Sequence, residues 1–317
     1  MCVLQDNFGR TVQYLRLSVT DRCNYRCAYC MAERGGPKRA AGDILSIGEL
    51  AEIGEAAVRC GVKKIRLTGG EPLLRRDILR LCERLRASAG LEELTLTTNG
   101  ALLGAMAADL RLSGVERLNV SLDTLRPERF RALTRRGELN DVLRGLDAAR
   151  SAGFTGTKLN VVLLGGVNDD EIADFVALTR TEELSVRFIE LMPMGVCAAF
   201  PRERFLAADA VLSAVPELER AGFGGVAELY RAPGHRGTVG LIRAMTRGFC
   251  ASCDRIRVTA DGKLKPCLHS AEEIPLRNLR GAALEAAIRA GAAAKPARHS
   301  LTAGGSASAR EMYAIGG

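Results

Sequence analysis

Six short runs of β-branched and apolar residues recur along the chain, and a longer stretch separates each from the next. They are YLRLSVT from Tyr14, KIRLT from Lys64, LEELTLTT from Leu91, VERLNVSLD from Val115, TKLNVVLL from Thr157 and SVRFIEL from Ser185. Strands that alternate with helices pair in parallel, because the connecting helix returns the chain to the same end of the sheet. The first intervening stretch illustrates the helical signal. Ser46 with Glu49 forms a capping box, apolar residues follow at Ile47, Leu50, Ile53 and Val58, and Gly61 stops the helix. Further helices are expected over 75–89, 138–152 and 169–182. The pattern predicts an α/β fold, a partial and open six-stranded βα barrel, with a core over 1–195 and a C-terminal region over 196–317.

Parallel barrels gather their chemistry at the carboxyl ends of the strands. Here those ends carry DRCNYRCAYC, GGEP, NG, SLD, GGVND and MPMG, so polar and glycine-rich segments are expected to meet at one mouth. After Pro193 the alternation fades. A hairpin-like stretch, VAELYRAPGHRGTVGLI, follows, then a second cysteine group and an Ala/Gly-rich segment over 281–294.

No window approaches eighteen consecutive apolar residues, and MCVLQDNFGR lacks a charged-then-apolar leader, so a cytoplasmic protein with no membrane partner is expected. Ten cysteines in such a chain stay reduced and favour metal ligation or catalysis over disulfides. The formal charge of +8 is weak evidence for nucleic acid, since Trp is absent and aromatics make up only 4%. An anionic small molecule is the better partner.

Cys23, Cys27 and Cys30 stand as C-x3-C-x2-C directly after the first strand. Thiolates suit iron–sulfur clusters and zinc, and three of them on a four-iron cluster leave one iron open to another ligand. Cys250, Cys253 and Cys267 form a second trio. Spacing alone leaves that trio open between a cluster and a Cys3His zinc site completed by His269. Cys2, Cys60, Cys82 and Cys197 fall outside both groups.

C-x3-C-x2-C with an aromatic before its last cysteine, followed by GGEP after the second strand, resembles the radical S-adenosylmethionine (SAM) superfamily. Within it, FGRTVQYLRLSVTDRCNYRCAYCM, KKIRLTGGEPLLRRD, LTTNG, VSLDTL, KLNVV, GVNDDEI, RFIELMPMG, FCASCDRIRVTADGKLKPCL and the terminal REMYAIGG resemble the GTP 3′,8-cyclase family of molybdenum-cofactor biosynthesis. Ala32 stands where that family usually has Pro, and LIRAM from Leu241 replaces a motif that usually carries Ser and Pro.

The resemblance implies a 4Fe–4S cluster on Cys23, Cys27 and Cys30, with SAM lined by Tyr29, Gly70, Ser121 and Met192. It implies a second 4Fe–4S cluster on Cys250, Cys253 and Cys267, facing the purine of GTP. Arg16, Arg66, Thr97, Lys158, Arg255 and Arg257 would surround the nucleotide, which no P-loop is present to cradle. Arg255 and Arg257 alternate on one strand and so share a face. They and the tail residues Gly316 and Gly317 would act in catalysis, which joins C3′ of the ribose to C8 of guanine. An external electron donor and hand-off to the cyclic pyranopterin monophosphate synthase are implied, and a homodimer is allowed. The alternatives are a radical SAM enzyme acting on a peptide, or a non-enzymatic iron–sulfur or zinc protein.

Overall fold

The computed structural model describes residues 3–36, 39–299, 301 and 305–316; Cys2 and Gly317 lie outside them. All six expected strands form: β1 Tyr14–Ser18, β2 Lys64–Thr68, β3 Glu93–Thr98, β4 Arg117–Ser121, β5 Lys158–Leu163 and β6 Ser185–Glu190. They lie side by side in chain order, each pair parallel.

The later chain extends this sheet on both sides. β7 Glu219–Gly224, β8 Ala227–Arg231 and β9 Thr238–Ile242 make an antiparallel meander that includes the expected hairpin, and β9 lies parallel to β6. β10 Arg255–Val258 lies parallel to β1, with β11 Lys263–Lys265 and β12 Ile274–Pro275 antiparallel beyond it. Among the described residues the sheet therefore has twelve strands, with eight parallel strands at its centre, and it is open, ending in β12 and β7.

Helices cover the outer face. α1 Ile47–Arg59 starts at Ser46 with the expected capping box, and α2 Ile78–Arg86 buries Ile78, Leu81, Cys82 and Leu85 at helical spacing. α3 Leu103–Leu112, α4 Pro127–Thr134, α5 Leu139–Ser151 and α6 Ile172–Ala177 follow, then α7 Ala210–Ala214, α8 Gly281–Ala293 and α9 Met312–Ile315. Two helices are shorter than their apolar patterns suggest. α2 starts late because Arg75, which ends a 3-10 turn over Pro72–Leu74, is extended, and after α6 the Thr179 hydroxyl bonds back to the Val176 carbonyl.

Alternation along the strands sorts the side chains. Leu15, Leu17, Ile65, Leu67, Leu94, Leu96, Leu118 and Val120 are fully buried in the core that includes the helices. Tyr14, Arg16, Lys64, Arg66, Arg117, Asn119 and Lys158 face instead a cavity of about 730 Å³.

Candidate active site

The first cysteine loop leaves β1 and runs beside the GGEP turn that leaves β2. Gly70 N–H donates to Thr20 O at 2.7 Å, and Glu71 N–H to Arg22 O at 2.8 Å. A Cβ on Gly70 would lie 2.3 Å from Arg22 O, so glycine is required for backbone to approach backbone. The nearest partner of both Gly69 and Gly70 is the cysteine loop itself, and both also line the cavity, where the resemblance places Gly70 against SAM.

Glu71 ties the neighbouring strand ends together. Its buried carboxylate accepts from Leu73 N–H at 3.0 Å, Asn99 N–H at 2.7 Å and the Thr98 hydroxyl at 2.8 Å. Burial pushes this carboxyl up to about 7. Asn99 Nδ2 in turn donates to Asn24 Oδ1 at 2.8 Å and reaches Cys23 Sγ at 3.8 Å. On the other side Tyr29 donates its phenol to Asp123 at 2.6 Å, and Cys197 donates its thiol to Tyr29 O at 2.8 Å.

Cys23, Cys27 and Cys30 all line the cavity. Burial raises each thiol, Cys30 to about 12, and the neighbouring cysteines reinforce it at Cys27 and Cys30. A soft metal cluster suits such a donor set and would hold it as thiolates. Cys250, Cys253 and Cys267 line the same cavity. Burial opposes ionisation of Cys253, but Arg255 and then Lys295 bring its thiol below the ordinary value. Among the described residues no three His, Cys, Asp or Glu side chains are gathered as a single metal ion requires. His269 instead contacts Ser306 Oγ at 3.2 Å through Nδ1.

Between the two cysteine groups lies a layer of cations. Arg16, Arg66, Lys158, Arg255 and Arg257 all face the cavity, as expected, and Lys64, Arg117 and Arg187 join them. Burial, then Arg187, Arg117, Arg66 and Lys64, push the Lys158 ammonium down to about 6. Burial and then Arg255 hold Arg257 at about 10; burial and then Arg66 hold Arg187 there. Counter-charge is sparse: Glu93 pairs with Lys64 and Arg117. Thr97 Oγ1, Asn119 Oδ1 and Arg187 Nε are buried without a hydrogen-bond partner among the described residues. A crowded, partly unsatisfied cationic surface of this kind fits a polyanion that carries further donors and acceptors.

The C-terminal tail enters the same region. Met312 and Tyr313 line the cavity, and the Tyr313 amide bonds the Cys30 sulfur. Gly316 sits at φ +77° with Thr68 and Ser18 packed where a Cβ would be, and its carbonyl accepts from Arg257 at 3.1 Å.

Residues 17–179 match the radical SAM superfamily, and residues 184–301 match the Molybdenum Cofactor Synthesis C family. The GTP 3′,8-cyclase of Peptoclostridium acidaminophilum is 50% identical over 99% of this chain and 98% of its own length. That of Moorella thermoacetica is 46% identical over 99% and 100%. The chain belongs to the GTP 3′,8-cyclase family. Among solved structures, Streptococcus suis SuiB bound to S-adenosylmethionine superposes with a TM-score of 0.59 at 17% identity, covering 88% of this chain and 68% of that one. At that identity the likeness speaks for the radical SAM fold alone.

Within this family frame, the cavity brings together all sixteen expected cluster, SAM and nucleotide residues. Gly316 joins them through Arg257, while Gly317 lies outside the described residues. Sequence reading passed over Lys64, Arg117 and Arg187, although Lys64 and Arg66 stand two apart on one strand, the spacing that signals a shared face. At the LIRAM departure, Ile242 and Ala244 face the cavity, whereas Arg243 ion-pairs with Glu228, and with Asp209 at 2.7 Å. Nothing in the structure explains Ala32.

Proposed function

We propose that the chain is a radical SAM GTP 3′,8-cyclase, converting GTP to (8S)-3′,8-cyclo-7,8-dihydroguanosine 5′-triphosphate for molybdenum-cofactor biosynthesis. The observation that carries this reading is the buried cationic layer between two three-cysteine groups. Cys23, Cys27 and Cys30 would hold the first 4Fe–4S cluster, and Cys250, Cys253 and Cys267 the second. With SAM bound, the first cluster would pass one electron from an external donor to SAM, which would break into methionine and the 5′-deoxyadenosyl radical needed to take hydrogen from the ribose, and Cys250, Cys253 and Cys267 would hold the second on the side of the base. Tyr29, fixed by Asp123, lines the SAM side with Gly70, Ser121 and Met192. Arg16, Arg66, Lys158, Arg255 and Arg257 neutralise the triphosphate. Thr97 has a buried hydroxyl with no hydrogen-bond partner among the described residues, a group available to bond the nucleotide.

No helix among the described residues is long and apolar enough to cross a membrane. The reading places the enzyme in the cytoplasm, takes its electron from an external donor, and passes product to the cyclic pyranopterin monophosphate synthase. It divides the chain into a core over 1–195 and a C-terminal cluster region over 196–317.

The test is anaerobic incubation with GTP, SAM and a reductant. The wild type should release 5′-deoxyadenosine and the cyclised nucleotide. Cys27→Ala should release neither, whereas Cys253→Ala should retain some SAM cleavage without cyclisation. No cyclised product from wild-type protein carrying both clusters, or equal loss of cleavage in two folded variants, overturns the reading.

A further inference from the structure

Lys295 lies just beyond α8, and its side chain turns back beneath the second cysteine group. The residue is 3% exposed. Its ammonium donates to Arg255 O at 2.6 Å, Pro266 O at 3.3 Å and Cys253 Sγ at 3.6 Å. Three N–H donors thus meet three acceptors, and none of the three is a carboxylate. A buried ammonium held only by neutral carbonyls is costly without an anion nearby. Among these three described acceptors, the sulfur of Cys253 is the atom that becomes anionic when it ligates a metal.

The acceptors also mark its place. Arg255 lies two residues after Cys253, and Pro266 immediately precedes Cys267, so one ammonium binds both arms that carry the sulfurs. The segment after Lys295 is held by a second cation, Arg10, which joins Cys250 O at 2.6 Å to Pro296 O at 2.7 Å. Residue type is informative as well. Only seven of the 45 basic residues are lysine, and a compact point charge reaches three converging acceptors where the planar guanidinium fork cannot.

We propose that Lys295 is a positioning residue for the second cysteine group, fixing the arms that bear Cys253 and Cys267 and raising the reduction potential of the cluster they hold. This rests on the reading that the trio carries an iron–sulfur cluster. Hydrogen bonds to cluster sulfurs and nearby positive charge favour the reduced, more negative form, so removing both lowers the potential.

The test uses full-length protein reconstituted anaerobically in a Cys23→Ala/Cys27→Ala/Cys30→Ala background, so that only the second cluster contributes. Iron and sulfide per chain, circular dichroism and an electron-paramagnetic-resonance redox titration are measured with Lys295, with Lys295→Met and with Lys295→Arg. Lys295→Met should stay folded and shift the midpoint to more negative potential, with Lys295→Arg recovering part of the shift. Loss of iron from folded Lys295→Met but not from Lys295→Arg also supports the proposal. An unchanged midpoint with full iron overturns it, as does misfolding or equal iron loss in both variants. Absence of iron from the background protein that still has Lys295 overturns instead the reading that the trio holds a cluster.

Discussion

Burial and the surrounding cations bring Lys158 down to about 6 from an ordinary 10.5, so near neutral pH its amine is mostly neutral in the free protein. The unfolded chain keeps the proton, and this group's contribution to stability therefore rises with pH between about 6 and 10.5 and is lost as pH falls through that window. Lys158→Met should raise the melting temperature of the ligand-free protein at pH 7.5, as scanning calorimetry would record. A triphosphate placed against the same side chain favours the ammonium, so binding takes up a proton. Titration calorimetry in two buffers of different ionisation enthalpy should detect that uptake in the wild type and lose it in Lys158→Met. Affinity for GTP should fall about tenfold or more in the variant, a charge-assisted hydrogen bond contributing ~1.5–3 kcal/mol. In the wild type it should weaken as pH rises from 6 to 9. Equal proton uptake in both proteins would place the triphosphate elsewhere.

Among the elements, the turn after β2 positions the first cysteine loop more directly than any helix does. Gly70→Ala would drive a methyl into Arg22 O and C, both backbone atoms that cannot swing aside. The expected cost is ~1–3 kcal/mol in denaturant unfolding, with a matching loss of iron at Cys23, Cys27 and Cys30 and little change at the second group. β1 to β6 were legible because each carries its own two-residue alternation and turn signals. The places of β9 and β10 were not, since pairing such as Leu15 with Ile256 joins residues that no local pattern connects. The same limit applies to the site. Both cysteine trios announce themselves by spacing, and Glu71 and Asp123 stand inside the GGEP and SLD motifs although their roles as carboxylate ties depend on partners far along the chain; Lys295 looks like an ordinary charge in the sequence.

Across the whole molecule, the tail connects the two ends of the cavity. The Tyr313 amide meets Cys30 of the first group, and the Gly316 carbonyl meets Arg257 beside the second. What fastens the tail lies just before it. Arg310 grips Asp261 with two hydrogen bonds of 2.9 Å and Glu273 with two of 2.5 and 2.6 Å. Asp261, on the turn between β10 and β11, is held down at about 2; burial opposes this, but Arg310 and Thr259 outweigh it. The same carboxylate accepts from Arg39 at 2.8 Å, which links the latch to the chain that follows the first cysteine loop. Arg310→Ala leaves Asp261 with Arg39 and Glu273 with Lys265 but removes four charge-assisted hydrogen bonds from the start of the tail, a loss of ~1.5–3 kcal/mol. The penalty falls on the short segment that follows Arg310, so it should open the tail locally rather than unfold the sheet. Hydrogen exchange over 311–316 should accelerate while β1 to β6 stay protected, and iron content should remain that of the wild type. With Gly316 no longer held on Arg257, SAM cleavage should continue uncoupled and the cyclised nucleotide should fall at least tenfold. Normal product formation by a variant whose tail exchanges freely would show that the docked tail is dispensable for cyclisation.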